Sequence, residues 1–350
     1  MARLPFRTRI FGRRSAALPA AVLVSLFIFA IWPWLPAVGR GAPTRTIVIY
    51  GFSILAEVLN DGILPAFQEE WRERTGEPIE FVTSFAGSGT VTNQLVMGVP
   101  AQLALLSHEL DAMRLAAAGV LPADSWHALP QNGVVNRTPF IILVRPGNPR
   151  GVRDFTDLTR AGTRIVHPDP LTSGGANWAI LAEYGAGALA ASGASEAGYD
   201  LLRGVWQNVV AQAASARAAR TQFENGFGDA LITYEQEVIR DRALGRLSGE
   251  IIYPRRTILS EHTLVVLDRN IRPEERDVIG AFVAFLWSDT AQRIFVDYGF
   301  RSVNAQLNQN PAFGAIAEPF TVGDLGGWTA AKSVIVDAIW KERVLAELRR

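Results

Sequence analysis

Apolar residues along this chain fall into short unbroken runs, separated by segments whose apolar positions recur every three or four residues. Thr46-Ile47-Val48-Ile49-Tyr50, Ile79-Glu80-Phe81-Val82-Thr83, Leu103-Ala104-Leu105-Leu106, Arg164-Ile165-Val166, Asn208-Val209-Val210-Ala211, Ala230-Leu231-Ile232 and Ile251-Ile252 read as strands. Two runs are longer: Pro139-Phe140-Ile141-Ile142-Leu143-Val144 and His262-Thr263-Leu264-Val265-Val266-Leu267. Helical spacing predicts helices around residues 65–71, 91–97, 109–118, 199–205, 235–242, 273–286 and 290–296. Others begin near Ala179, Phe223 and Trp328. Residues 185–197, rich in glycine, alanine and serine, read as a surface connection. Strand and helix alternate, which predicts an α/β fold whose mostly parallel sheets are covered by helices.

A chain of 350 residues that is 49% hydrophobic can bury two cores. Two lobes are expected, residues 45–138 plus 262–350 and residues 139–261, with the long strands at Phe140 and Leu264 crossing between them. The first 14 residues carry Arg3, Arg7, Arg9, Arg13 and Arg14 with no acid, and an uncharged apolar run follows. Residues 1–39 therefore read as a secretory signal with a small-x-small site at Ala37-Val38-Gly39, or else as an uncleaved anchor. No cysteine is present, which excludes disulfides, thiol chemistry and lipid attachment at a cleavage-site cysteine. The periplasm is the expected compartment.

Six of the 34 basic residues lie in or beside that export segment, leaving 28 against 34 acidic ones. A mildly acidic body argues against nucleic acid as a partner. The only lysines are Lys332 and Lys341, so Gly87-Ser88-Gly89 is not a nucleotide P-loop. His108, His127, His167 and His262 show no metal-ligand spacing, and no metal or cofactor is expected.

Candidate chemistry lies where strands run into helices. The loop 167–178 carries Ser173-Gly174-Gly175 before a helix, with Thr172 or Ser173 as the expected N-cap. Ser84-Phe85-Ala86-Gly87-Ser88-Gly89-Thr90 and Ala214-Ser215-Ala216-Arg217 are two further loops of small residues. Amides at a helix start lack partners and carry partial positive charge, so three such loops can hold one anion if the fold gathers them. Trp178 is expected to pack beneath its loop.

Seven motifs occur in order: residues 84–89, 144–149, 172–178, 215–217, 228–235, 258–261 and 326–328. In this order the chain resembles the periplasmic sulfate/thiosulfate-binding protein family, the ligand receptors of sulfate ABC importers, from about residue 46 to about 345. The resemblance implies a two-lobed periplasmic binding fold of type II that closes on sulfate, binds through backbone amides and neutral donors, works as a monomer and docks on a membrane permease. Matched position by position, the implied ligand-binding residues are Ser88, Gly89, Ser173, Gly174, Gly175, Ala216, Arg217 and Tyr234. Tyr234 stands where the family has an indole donor. Tyr50-Gly51-Phe52-Ser53 replaces Ser-Tyr-Asp-Pro, and Ser107-His108-Glu109 replaces Ala-Tyr-Asp.

Sulfate oxygens only accept hydrogen bonds, whereas phosphate keeps a proton that needs an acceptor. No loop carries a carboxylate next to its helix start, so a site of donors alone and sulfate over phosphate are expected. Arg217 reads either as support for the anion or as a loop brace. The alternatives are another oxyanion (molybdate, tungstate, phosphate or a sulfonate), a membrane-tethered sensor, and a hydrolase using Ser88. The last lacks a Gly-x-Ser-x-Gly motif, and no catalysis is expected.

Overall fold

The computed structural model describes residues 44–348, so the expected signal segment, residues 1–39, lies outside the described residues. Eleven strands occur among the described residues, and three of them feed the helices that matter most. β1 (Arg45–Phe52) leads through a helical stretch, residues 53–63, into α1 (Leu64–Thr75), and β2 (Ile79–Ala86) leads into α2 (Ser88–Val96). β3 (Leu103–Leu106), α3 (Glu109–Ala117) and the long β4 (Val134–Val144) follow. Then come β5 (Ile165–Pro168), α4 (Gly174–Ala190), α5 (Ser195–Trp206), β6 (Val209–Ala213), α6 (Ala216–Glu224), β7 (Ala230–Tyr234) and α7 (Gln236–Ala243). β8 (Glu250–Ile252), the long β9 (Arg256–Val266), α8 (Arg276–Phe285), α9 (Asp289–Asp297), β10 (Arg301–Ser302), β11 (Glu318–Phe320) and a last helical stretch, residues 327–348, complete the chain.

The sheet runs β2-β1-β3-β9-β4-β7-β5-β6. β1 pairs parallel with β2 and β3, and β5 pairs parallel with β6 and β7, while β4 and β9 run antiparallel to each other and to their other main neighbours. The two long strands predicted as crossings thus join the two parallel groups. β4 changes partner midway: Pro139 faces Leu259 of β9, and Phe140 already faces Tyr234 of β7. Proline has no N–H to donate, so it sits where the ladder switches neighbours. Its carbonyl accepts from the Glu235 amide at 2.8 Å.

Residues 185–197 are not a surface connection. α4 continues to Ala190, and only residues 191–194 link it to α5. The small residues serve packing. A Cβ on Gly187 would lie 2.6 Å from the Ala197 carbonyl oxygen, one on Gly198 2.6 Å from the Tyr184 ring, and one on Gly185 2.5 Å from Phe320. The two helices approach at backbone distance, and glycine is what that approach requires. The helix expected near Phe223 begins earlier, at Ala216, directly after the loop.

Burial follows the apolar pattern. Phe67 packs against Phe81, Phe282 and Phe285, and Trp178 is fully buried against Trp328. Under the strand switch, Phe52, Phe140, Tyr234 and His262 form one aromatic cluster. His262 is fully buried, with Nδ1 2.5 Å from Asn136 Oδ1. Burial, with a smaller contribution from His108, lowers its pKa from the ordinary 6.5 to about 3. The folded state therefore keeps His262 neutral while the unfolded chain takes up a proton below about pH 6.5. Stability is complete above that pH and is expected to fall towards pH 4 with an extra slope of about 1.4 kcal/mol per pH unit. Urea unfolding at several pH values checks this: His262→Gln should lose that part of the slope.

Candidate anion-binding site

Each of the three small-residue loops starts a helix, and the three loops meet. Gly87 is the crossing point: a Cβ there would lie 2.3 Å from the Thr172 carbonyl oxygen and 2.4 Å from that of Ala214. The Gly89 amide donates to the Thr172 carbonyl at 3.1 Å, and the Asp169 amide to Ala213 at 2.7 Å. The Asp169 side chain accepts from the Leu171 amide at 2.8 Å, and its carbonyl from Ser173 at 2.8 Å, which shapes the loop after β5. β5 is tied to α4 below this loop. His167 lies 3.2 Å from Glu183, Trp206 donates to the same carboxyl at 3.1 Å, and burial raises the Glu183 pKa.

Capping decides which amides stay free. Ser173 occupies the expected N-cap position of α4, but its side chain makes no capping bond, and α2 starts after Gly87, which has none to offer. Ser215 caps α6, yet its hydroxyl reaches the Ala218 amide and leaves the first one. The amides of Ser88, Gly174, Gly175 and Ala216 therefore donate to no acceptor among the described residues. All four residues are buried. A buried N–H without a partner costs about 1–3 kcal/mol, so four together call for an acceptor. Three helix starts add their positive ends.

Ser107, at the end of β3, is the residue that sequence reasoning missed as part of the site. In the sequence it stands out only as a departure from the family's Ala-Tyr-Asp motif. The available signal was its position directly after a parallel strand, where α/β sheets place their sites. A Cβ on Gly174 would lie 2.5 Å from Ser107 Cβ and 3.0 Å from Ser88 Cβ, so the starts of α2 and α4 and the end of β3 share one volume. Ser107 Oγ lies 2.9 Å from the Tyr234 hydroxyl, and Trp178 Nε1 donates to the Ser107 carbonyl at 2.7 Å. Tyr234 flanks Gly175, whose Cβ would lie 3.2 Å from the phenol oxygen. Burial, offset by the Ser107 bond and reinforced by Glu237 and Asp111, pushes this phenol above its usual pKa, so it keeps its proton.

Arg217 also lies at this end of α6, with its side chain turned to carboxylates. Nε is 3.0 Å from both Glu237 oxygens, and Nη1 3.1 Å from Glu57. Burial opposes its charge, but Glu237 and then Glu57 outweigh it and raise the pKa. In this arrangement Arg217 braces the loop. It lines a charged cavity of about 350 Å³ with Glu57, Arg220, Glu237 and Arg240.

The expectation of a site made of donors alone needs correcting. Asp111 of α3, 23 residues beyond Ser88, accepts the Ser88 hydroxyl proton, and the same hydroxyl accepts from the Ser107 amide at 3.0 Å. The loop sequences carry no such carboxylate; only the packing of α3 on α2 supplies it. Asp111, not a histidine, stands against Ser88, so the order of a Ser-His-Asp triad is not met. His108, His167 and His262 are buried, and no group of three or more metal-ligating side chains occurs among the described residues.

Parallel strand groups joined by two crossing strands, with free amides of three helix starts at one point, are the architecture of a periplasmic binding protein that holds an anionic solute. Residues 47–301 match the model of the family described as bacterial extracellular solute-binding protein. The sulfate-binding protein of Synechococcus elongatus is 31% identical, over 96% of this chain and 97% of its own. The thiosulfate-binding protein of Pseudomonas aeruginosa is 30% identical over 69% and 74%. The solved structure of the sulfate-binding protein SubI from Mycobacterium tuberculosis H37Rv superposes with a TM-score of 0.74, at 30% identity, covering 82% of this chain and 98% of that one. The chain belongs to the bacterial extracellular solute-binding proteins, within the periplasmic sulfate/thiosulfate-binding family. Among the described residues no helix is long and apolar enough to cross a membrane.

Gly87→Ala tests whether the crossing of the loops depends on glycine. A methyl group against two carbonyl oxygens is expected to lower stability by about 1–3 kcal/mol while the far-ultraviolet circular dichroism spectrum is retained. Thermal unfolding beside the wild type measures it.

Proposed function

We propose that the protein captures sulfate, or its near relative thiosulfate, and delivers it to the membrane permease of an ABC importer. The observation that carries this reading is the set of buried amides on Ser88, Gly174, Gly175 and Ala216, which donate to no acceptor among the described residues. A small tetrahedral dianion fits such a set. It offers acceptors in several directions, and peptide dipoles balance its charge without a cation. The side chains of Ser173 and Tyr234 complete the wall; Gly89, whose amide is given to the Thr172 carbonyl, holds its loop against the one after β5, and the Arg217 side chain supports the wall from behind. Residues 45–138 plus 262–350 form one lobe in this reading and residues 139–261 the other, with donors from both needed for capture. Residues 1–39 export the chain to the periplasm, where it works as a monomer and without catalysis.

A second reading keeps the fold and changes the oxyanion. It is favoured by Tyr234, whose hydroxyl pairs with Ser107 and both donates and accepts. Titration with sulfate, thiosulfate and molybdate, followed by tryptophan fluorescence, separates the readings. Sulfate or thiosulfate is expected to bind tightest. Molybdate binding tighter than both overturns the first reading. Gly174→Ala, whose methyl would meet Ser107 at 2.5 Å, is expected to weaken sulfate binding by about tenfold or more.

A further inference from the structure

Ser88 starts one of the three helices of the site, but its hydroxyl is already engaged. Its O–H donates to Asp111 Oδ2 and its oxygen accepts from the Ser107 amide, so with Asp111 ionised it has a lone pair and no O–H to offer. Sulfate, which only accepts, gains nothing from that lone pair and is repelled by the carboxylate behind it. We propose that Asp111 couples capture of a fully ionised oxyanion to uptake of one proton, and thereby sets how sulfate is told from hydrogen phosphate.

The step balances simply. A proton from solvent joins Asp111, whose carboxyl then donates to Ser88 Oγ, and the Ser88 O–H turns to the anion. No other bond changes. Hydrogen phosphate brings its own proton, which the Ser88 lone pair accepts while Asp111 stays ionised. Sulfate therefore competes best when protons are plentiful. The inference rests on the proposed oxyanion site and adds its regulation.

The surroundings of Asp111 leave a route for that proton. A groove of about 630 Å³ reaches it from the surface, lined also by His108, Arg114, Leu171, Trp340 and Lys341. The charged and titratable groups facing Asp111 are few. His108 Nδ1 lies 3.5 Å from Asp111 Oδ2 without a hydrogen bond, and its Nε2 lies 3.2 Å from Asn177. Arg114 is turned to Asn93 of α2. On the final helix, Lys332 and Lys341 both bond Asp337. Arg114, Lys332 and Lys341 make no ion pair with Asp111, and His108 would make one only if it took the proton itself, which the variants below separate.

Calorimetric titration of the full exported chain with sulfate, in buffers of low and high ionisation enthalpy between about pH 5 and pH 8, tests this. The expected result is uptake approaching one proton per sulfate, with affinity falling up to tenfold per pH unit across the window of uptake. Asp111→Asn is expected to abolish the uptake and flatten the pH profile, whereas His108→Gln keeps the uptake. At about pH 8, hydrogen phosphate should displace sulfate more readily from the wild type than from Asp111→Asn. Sulfate binding in the wild type with buffer-independent heat and pH-independent affinity overturns the inference alone, without any variant having to fold. So does uptake lost in His108→Gln but kept in Asp111→Asn. Absence of sulfate binding at every pH overturns the ligand reading and this inference with it.

Discussion

The structure depends on three helix starts approaching so closely that only a residue without a side chain fits at their crossing. Gly87 lies against the Thr172 and Ala214 carbonyls, and that contact joins the loops after β2, β5 and β6. With a Cβ there, the loops could not approach this closely. The parallel strands bring those ends together, because β1–β3 and β5–β7 point their carboxyl ends at each other across the crossing strands β4 and β9. Weak capping then keeps the amides free. A strongly bonding cap side chain would stabilise each helix by about 1 kcal/mol and would take up an N–H that an anion needs.

Among the described residues, charge at this point is handled without a free cation. Arg217 is paired with Glu237 and Glu57, and the body of the chain is mildly acidic. What remains positive is the set of peptide dipoles, whose effect is local and strengthened by burial. The neutral hydroxyls of Tyr234 and Ser107 extend the donor wall. Against it stands one carboxylate, Asp111, held off by a single serine. A dianion held by these amides would meet that carboxylate across one serine hydroxyl, and a proton is the smallest group that would relieve the repulsion.

Glycine and proline do similar structural work elsewhere. Gly187 and Gly198 let α4 and α5 pack at backbone distance, so a stretch that reads as a loop by composition is helix. Pro139 stands inside a long strand, at the residue where β4 exchanges β9 for β7. In each case local preference points one way and tertiary packing decides; for glycine the propensity is worth about 1 kcal/mol and packing contributes more.

The amino-acid sequence by itself determined the alternation of strands and helices, the two long crossing strands, the small-residue loops at three helix starts and the family to which their order belongs. These are legible because they rest on local patterns: apolar period, glycine beside serine, and proline at turns. Most of the candidate site was readable in the same way, from Ser88 through Gly174 and Gly175 to Ala216. Tertiary structure alone decided that Gly87 is the crossing point, that Ser107 stands among the loops, that Arg217 faces carboxylates, and that Asp111 reaches Ser88. Those facts are distances between residues far apart in the chain, and no local pattern encodes them. They arise only when α3 packs on α2 and the two groups of parallel strands point their carboxyl ends at each other.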